Sequence, residues 1–238
     1  MAKDVDGPGA LNCYEFVTLK FSLQLRNYPQ TFDFYALYQY GSSSSFYPPD
    51  FLRDSNIPLY VDPFLKIQTN ENRDHESVRL SSLDFIGALA KFDDPHGPEI
   101  LNFFLGSGLV LSCLHCMGDG DTLTGKGPIS ETSVMSAQAA TLIVMNILMQ
   151  EAGLNYFCDS PERVQLLVQV LRQMVEKLTG NPSLQTLKYV VQCYHCLSGK
   201  YKLSGVLNAL RDNFPQQLTD STFRILFSVS PSASFFNN

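Results

Sequence analysis

The sequence predicts an all-α fold, an armadillo-type helical repeat solenoid that forms a right-handed superhelix after an irregular N-terminal segment. From residue 76 onward apolar residues recur at helical spacing, and the alternating β-branched runs that form strands are nearly absent. The predicted helices also recur in one order. A structural unit repeated at a regular period is the sequence signature of a solenoid.

The helix predicted at 161–179 has the clearest pattern. Ser160 is placed to cap its first turn, Pro161 suits the first helical position, and Glu162 lies near the positive end of the helix dipole. Gly180, Asn181 and Pro182 end it. One face carries apolar residues at i, i+3, i+4 and i+7 spacing, namely Val164, Leu167, Val168, Leu171, Val175 and Leu178.

The order of the predicted helices indicates three rounds of one repeat. The rounds open with long helices in which Leu89, Leu148 and Leu197 take equivalent positions, at steps of 59 and 49 residues. With a polar insertion left out of the first step, these steps match the armadillo and HEAT periods. The predicted helices span 76–92, 99–105, 109–117, 133–149, 153–158, 161–179, 183–197 and 203–210.

The polar insertion contains "GDGDTLTGKG" (118–127), which imitates a phosphate-binding loop. A true P-loop follows a strand and places Ser or Thr after its lysine to hold Mg²⁺, but Gly127 follows Lys126 here. Asp119 and Asp121 lack the further acids of a calcium loop. We therefore interpret 118–129 as a dispensable surface insertion and expect no cofactor.

Charge and composition limit the function classes. The formal net charge is −6, with nine Lys/Arg against eighteen Asp/Glu in residues 1–157 and eight against five in 158–238. Such a chain is a poor polyanion binder overall. No continuous apolar run reaches the length that spans a bilayer, and the acidic start is unlike a signal peptide. We expect a soluble, intracellular protein without a membrane partner.

Two C-x-x-C pairs suggest a zinc site. They are "CLHC" (113–116) and "CYHC" (193–196), and the sequence between them is far longer than in usual zinc modules. On helices, cysteines at i and i+3 share a face and behave as small apolar residues. We expect core thiols without metal, beside partly buried His115 and His195. The four histidines lie near no recognisable nucleophile motif, so we expect no enzyme.

A long stretch of the chain carries almost no charge. Between Glu99 and Glu151 the charged residues lie only in or beside the insertion, and the helices 100–117 and 133–149 have none. Two interpretations stay open at this point. These helices are either the solenoid core alone, or part of their surface is a groove that a partner covers.

Six motifs in order resemble the "required for cell differentiation one" family, the armadillo-repeat subunit of the Ccr-Not mRNA deadenylase complex. The resemblance runs from about Phe51 to Phe227. Its motifs are "IPLYVDPFL" (57–65), "VRLSSLDFIGALAKFDD" (78–94), "EILNFFL" (99–105), "GLNYFC" (153–158), "LKYVVQCY" (187–194) and "FPQQLTDSTF" (214–223).

The resemblance implies a non-catalytic adaptor that works in the cytoplasm and also in the nucleus. It implies docking on the scaffold subunit of the Ccr-Not complex and binding of short linear motifs from RNA-binding and silencing proteins. Nucleic acid is an alternative ligand, which this chain would bind more weakly than the family does. The resemblance leaves open whether the chain forms a homodimer. A truncated paralogue that no longer enters the complex is the other alternative.

The resemblance also sets the predicted boundaries and site. The armadillo-like domain covers 51–227, after a divergent segment 1–50 and before a disordered tail 228–238. Partner binding is predicted at Arg163, Lys188, Tyr194 and Lys202, in the part of the chain where positive charge exceeds negative. The family's arginines are replaced here by Gln185, Gln192 and Cys196, which weakens attraction for phosphate.

Overall fold

A computed structural model describes residues 62–66, 73–92, 97–118, 131–200 and 202–224 of the chain. All of them belong to one unit, residues 34–238. Within these ranges the regular structure is helical and no strand occurs. The α-helices are α1 (Arg73–Leu89), α2 (Gly97–Ser107), α3 (Leu109–Gly118), α4 (Glu131–Met149), α5 (Glu151–Cys158), α6 (Pro161–Gly180), α7 (Leu184–Ser198) and α8 (Ser204–Asn213).

The helices stack in rows, as the predicted repeat requires. Helix α4 packs between α1 and α7, helix α6 packs between α3 and α8, and the short helices α2 and α5 pack on each other. Each repeat therefore contacts the equivalent helices of its neighbours, which is the arrangement of a helical solenoid. The predicted all-α repeat fold is confirmed, and the three long helices taken as equivalent form one row.

Local signals at the start of α6 act as the sequence predicts. The Ser160 hydroxyl accepts a hydrogen bond from the Arg163 backbone N–H at 3.2 Å and Pro161 occupies the first turn. The same hydroxyl donates to Glu162 Oε2 at 2.7 Å, and this bond lowers the pKa of Glu162. Ser183 caps α7 in the same way, accepting from the Thr186 N–H at 3.3 Å.

The core is formed by the apolar faces that the helical periodicity marks. All six residues predicted for the inner face of α6 are buried. Helix α4 packs against α1, α3 and α7, and buries Ile143, Val144, Ile147 and Leu148. Because each row supplies apolar surface to the next, burial is continuous along the repeats.

Most helix ends differ from the prediction by one to three residues, and two of them show a backbone feature nearby. Helix α1 ends at Leu89 rather than 92, and Phe92 takes a positive φ of 54°, which no helix accommodates. Helix α8 runs on to Asn213 instead of stopping at 210. It ends where Phe214 precedes Pro215, because the proline ring disfavours helical backbone in the residue before it.

The connection from α4 to α5 depends on one glycine. The single residue Gln150 separates the two helices, so the chain turns very tightly there. A Cβ atom added at Gly153 would overlap the carbonyl oxygen of Ile147 and lie too close to its side chain. The missing side chain of Gly153 therefore allows α5 to fold back against the end of α4.

The chain enters the insertion from a helix rather than from a strand. Helix α3 precedes it, so the structural context of a P-loop is missing, while residues 119–130 themselves lie outside the described ranges. Lys177 of α6 donates from Nζ to the carbonyl oxygens of Met117 (3.2 Å) and Gly118 (2.5 Å). This ammonium group caps two carbonyls at the end of α3.

One helix in the described part of the chain has the length and composition of a membrane span. By length and composition α4 is apolar enough to cross a membrane, and α2 with α3 would pass together but for a bend of 72°. Half of the apolar window in α4 is buried inside the structure. A core helix of a solenoid has the same composition, so this property is weak evidence for a membrane span.

The predicted segments 1–50 and 228–238 lie outside the described residues, and the domain boundaries stay predictions.

Candidate functional site

The row α1–α4–α7 has one open side, which we call the ladder face. Helix α4 packs against α1, α3 and α7, and its exposed and partly exposed residues recur at helical spacing along one strip. Helices α1 and α7 each carry a row of exposed or partly exposed residues as well, and we group these rows with the strip on α4 because both helices pack against it. The ladder face consists of Ser77 and Asp84 from α1, Met135, Gln138, Leu142, Met145, Asn146 and Met149 from α4, and Gln185, Lys188, Gln192 and His195 from α7.

The central strip is mostly apolar and carries no charge, and Gln138 and Asn146 are its partly exposed polar side chains. Met135 is 50% exposed and Met149 57%, and Leu142 and Met145 between them are partly exposed. No charged residue occurs along α4 after Glu131. Two interpretations of the uncharged helices were left open. Most of their surface is solenoid core, while the strip on α4 and scattered residues of α2 and α3, such as Leu111, stay exposed.

The edges of the ladder face carry opposite charges. Asp84 is exposed on α1, and neighbouring protein atoms partly desolvate its carboxyl group and raise its pKa. Lys188 is exposed on α7, across the apolar strip of α4. The face therefore has an apolar middle with an acidic side chain on one edge and a basic one on the other.

A polar clamp joins α4 to α7 at one end of this face. The Gln138 side-chain oxygen accepts a hydrogen bond from Thr186 Oγ1 at 3.0 Å and a longer one from Ser183 Oγ at 3.4 Å. Thr186 is buried and Gln138 is partly exposed, so this bond is partly shielded from water. The clamp joins residues far apart in the chain, and no sequence motif marked it.

The structure does not place the four predicted partner residues on a single face. Lys188 lies on the ladder face, whereas Lys202 is exposed just before α8. Tyr194 also belongs to α7, but it is only 6% exposed and its ring meets Phe214 edge-on, with 5.1 Å between centroids. Its ring is therefore closed to a partner in this structure. That these residues bind a partner stays a prediction.

Arg163 has a partner within the chain that the sequence analysis missed. Its guanidinium carbon lies 4.0 Å from the centre of the Tyr156 ring, across the junction of α5 and α6. An arginine above an aromatic face is a cation–π contact. Two positions seven residues apart on different helices give no recognisable sequence signal, so periodicity alone could not predict it.

The cysteines lie in or near the core, as predicted. Cys113, Cys116 and Cys193 are buried and Cys196 is partly exposed. Burial raises the pKa of Cys113 and of Cys193, so both stay protonated thiols. Among the described residues no group of three or more His, Cys, Asp or Glu is placed to hold a metal ion.

The histidines correct one expectation. His115 and His195 are exposed rather than partly buried. Each is one position from a C-x-x-C cysteine, and on a helix that step of about 100° takes it off the shared cysteine face. His195 reaches the ladder face for this reason.

Comparison with known proteins adds the family. The model of the Rcd1-like cell differentiation family matches residues 12–235. The chain belongs to this family. The Rcd1-like match extends further toward both ends than the motifs on which the resemblance was based, and it confirms that resemblance.

The alignments with two curated relatives cover a larger share of this Rcd1-like chain than of the relatives. It is 34% identical over 170 residues to cell differentiation protein rcd1 of Schizosaccharomyces pombe, which is 71% of this chain and 53% of the relative. It is also 34% identical over 170 residues to protein CAF40 of Saccharomyces cerevisiae, at 71% and 40%. The chain therefore spans about half the length of the curated relatives it matches.

Proposed function

We propose that this chain is a non-catalytic adaptor subunit of the Ccr-Not mRNA deadenylation complex. In this proposal it docks on the scaffold subunit and binds short linear motifs of mRNA regulators, in the cytoplasm and also in the nucleus. Family membership supports the complex. The open, uncharged strip of α4 is the observation that supports a binding role, because a solenoid presents such faces to extended partners.

The ladder face favours one kind of ligand. An apolar strip of about one helix length suits a short amphipathic segment that lays its apolar side along α4. The opposite charges at the edges then favour a basic residue of that segment beside Asp84 and an acidic residue beside Lys188. One lysine facing one aspartate does not suit a nucleic-acid backbone, which requires several cations.

A matched pair of variants tests the motif site. Met135 and Leu111 are exposed to nearly the same extent, 50% and 47%, but Leu111 lies on α3, outside the ladder face. A peptide is first selected by display on the whole chain, and its affinity is then measured for both variants. We expect Met135→Asp to weaken binding at least tenfold and Leu111→Asp to leave it unchanged. Equal affinities for the two variants would exclude the ladder face as the site.

Complex membership needs a separate experiment. The tagged whole chain is expressed in cells and purified with its bound proteins, and the purified scaffold subunit is offered to it in a direct binding assay. We expect the scaffold subunit and the deadenylases to be recovered. A chain that folds and binds peptides but recovers neither would support the alternative of a paralogue outside the complex. Tight, salt-sensitive RNA binding without protein partners would support the nucleic-acid alternative.

A further inference from the structure

We propose that Met135 and Met149 are sites of reversible oxidation to methionine sulfoxide by hydroperoxides, and that this modification weakens ligand binding at the ladder face. The inference rests on the proposed motif site, whose regulation it describes. Both residues belong to the open strip of α4, one near each end, with Leu142 between them. A ligand lying along the strip would cover both thioethers.

Exposure separates these two methionines from the other described ones. Met135 and Met149 are 50% and 57% exposed, whereas Met117 is 0% and Met174 3% exposed. Met145, on the same strip, is only partly exposed. Oxidation of sulfur follows access to the oxidant. Peroxide therefore reaches the two ends of the strip first, Met145 more slowly, and the core methionines remain protected by the fold.

The thiols of the described chain do not compete effectively for the same oxidant. Cys113, Cys116, Cys158 and Cys193 are buried and Cys196 is partly exposed. Thiolates rather than thiols react fast, and burial raises the pKa of Cys113, Cys193 and Cys196, which keeps their thiolate fraction low. The two exposed thioethers are therefore the most accessible oxidisable sulfurs among the described residues.

The chemical step is a two-electron oxygen transfer. A sulfur lone pair attacks the terminal oxygen of a hydroperoxide, the S–O bond forms and the O–O bond breaks. The sulfur is oxidised to the sulfoxide, and the peroxide is reduced to an alcohol, or to water from hydrogen peroxide, after the proton of the transferred oxygen moves to the leaving oxygen. Methionine sulfoxide reductases reverse the change.

Oxidation makes the two ends of the apolar strip on α4 more polar. A sulfoxide is polar, and it would replace one of the apolar contacts that Met135, Leu142, Met145 and Met149 offer along the strip. A ligand that covers the sulfoxide must desolvate its oxygen without supplying a donor. Burial of an unpaired polar group weakens association by about tenfold or more.

The test uses the whole chain and a display-selected peptide whose binding is lost with Met135→Asp. Hydrogen peroxide is added in steps, and peptide mass mapping follows the gain of oxygen at each methionine. We expect Met135 and Met149 to be oxidised first and Met117 and Met174 last, and the peptide to bind about tenfold more weakly to the oxidised chain. Sulfoxide reductases should restore the affinity, and an unchanged circular dichroism spectrum should show that the fold persists.

The double variant Met135→Leu with Met149→Leu is the matched control. It keeps apolar side chains at both positions without the two exposed sulfurs, and its own affinity before oxidation is the reference. That affinity should not fall after peroxide at doses that leave Met145 unmodified. Unchanged affinity after oxidation, slow oxidation of the two residues, or an equal loss in the double variant would each overturn this inference and leave the motif site standing. Failure to select any peptide that depends on Met135 would overturn the proposed motif site and this inference together.

Discussion

Arg163 lies above the ring of Tyr156, 4.0 Å from its centre, and so connects the first turn of α6 to α5. A cation in the first turn of a helix opposes the helix dipole, so the dipole gives no reason for an arginine at this position. The aromatic ring offers a reason for its presence. Arg163 stabilises the junction of two helices whether or not it also contacts a ligand.

This contact predicts a measurable coupling. Arg163→Gln, Tyr156→Leu and the double variant should form a double-mutant cycle with a coupling of about 0.5–1 kcal/mol, because the guanidinium and the ring interact at a partly exposed site. Urea unfolding of the four proteins measures it. Additive effects of the two substitutions would show that the guanidinium gains nothing from the ring.

Charge reversal at Lys188 should identify the binding face. If the ladder face binds an acidic residue of the ligand, Lys188→Glu should weaken the selected peptide by about 1–3 kcal/mol, the range for a lost charge-assisted contact. Lys202→Glu and Arg163→Glu serve as comparisons, since both residues lie off this face. Losses at Lys202 and Arg163 with none at Lys188 would place the ligand at the C-terminal helices.

Two glycines should respond in opposite ways to alanine. Gly153→Ala forces a Cβ atom into the Ile147 carbonyl and should lower the free energy of unfolding by more than about 2 kcal/mol. Gly106 in α2 has nothing within 4 Å of its Cβ position, so Gly106→Ala should raise stability by up to about 1 kcal/mol through helix propensity. Denaturant unfolding compares them, and a neutral Gly153→Ala would mean that α5 is free to move away from α4.

Stability should fall at alkaline pH, in part because of Tyr194. Burial raises the pKa of Tyr194 well above its ordinary value of 10.0, so the folded chain keeps the phenol proton that the unfolded chain releases. This contribution is complete below about pH 10 and declines above it, by at most about 1.4 kcal/mol per pH unit.

The variant Tyr194→Phe isolates this effect. The buried hydroxyl has no hydrogen-bond partner among the described residues, so its removal should cost little stability at pH 7. Above pH 10 the variant should lose stability less steeply than the original chain. Identical slopes in urea titrations at pH 9, 10 and 11 would show that the phenol titrates alike in both states.

Much of the fold followed from local sequence signals, since a helix is specified within a few turns. The face of α6, its cap Ser160 and the positions of the other helices were predicted from spacing and terminal residues alone. Helix ends were less certain where a distant residue or a proline decides them, as at Phe92 and Pro215.

The candidate site was only partly predictable, because side-chain exposure depends on what packs nearby. Lys188 and Tyr194 are six residues apart on α7 and share the predicted site, yet a step of about 600° turns them to different sides of the helix. Phe214, which covers the Tyr194 ring, comes from beyond α8. Sequence periodicity marked α4 as uncharged but could not show which strip its neighbours leave open.

The clamp between Gln138 and Thr186 affects the affinity of the ladder face for a ligand. It joins α4 to α7 before a ligand arrives, through a bond whose donor Thr186 is buried and whose acceptor Gln138 is partly exposed. A rigid receptor loses little conformational entropy on association, so more of the contact energy is retained as affinity. The same bond sets a steric limit, because a segment along α4 that is bulky enough to push α7 aside must first break it.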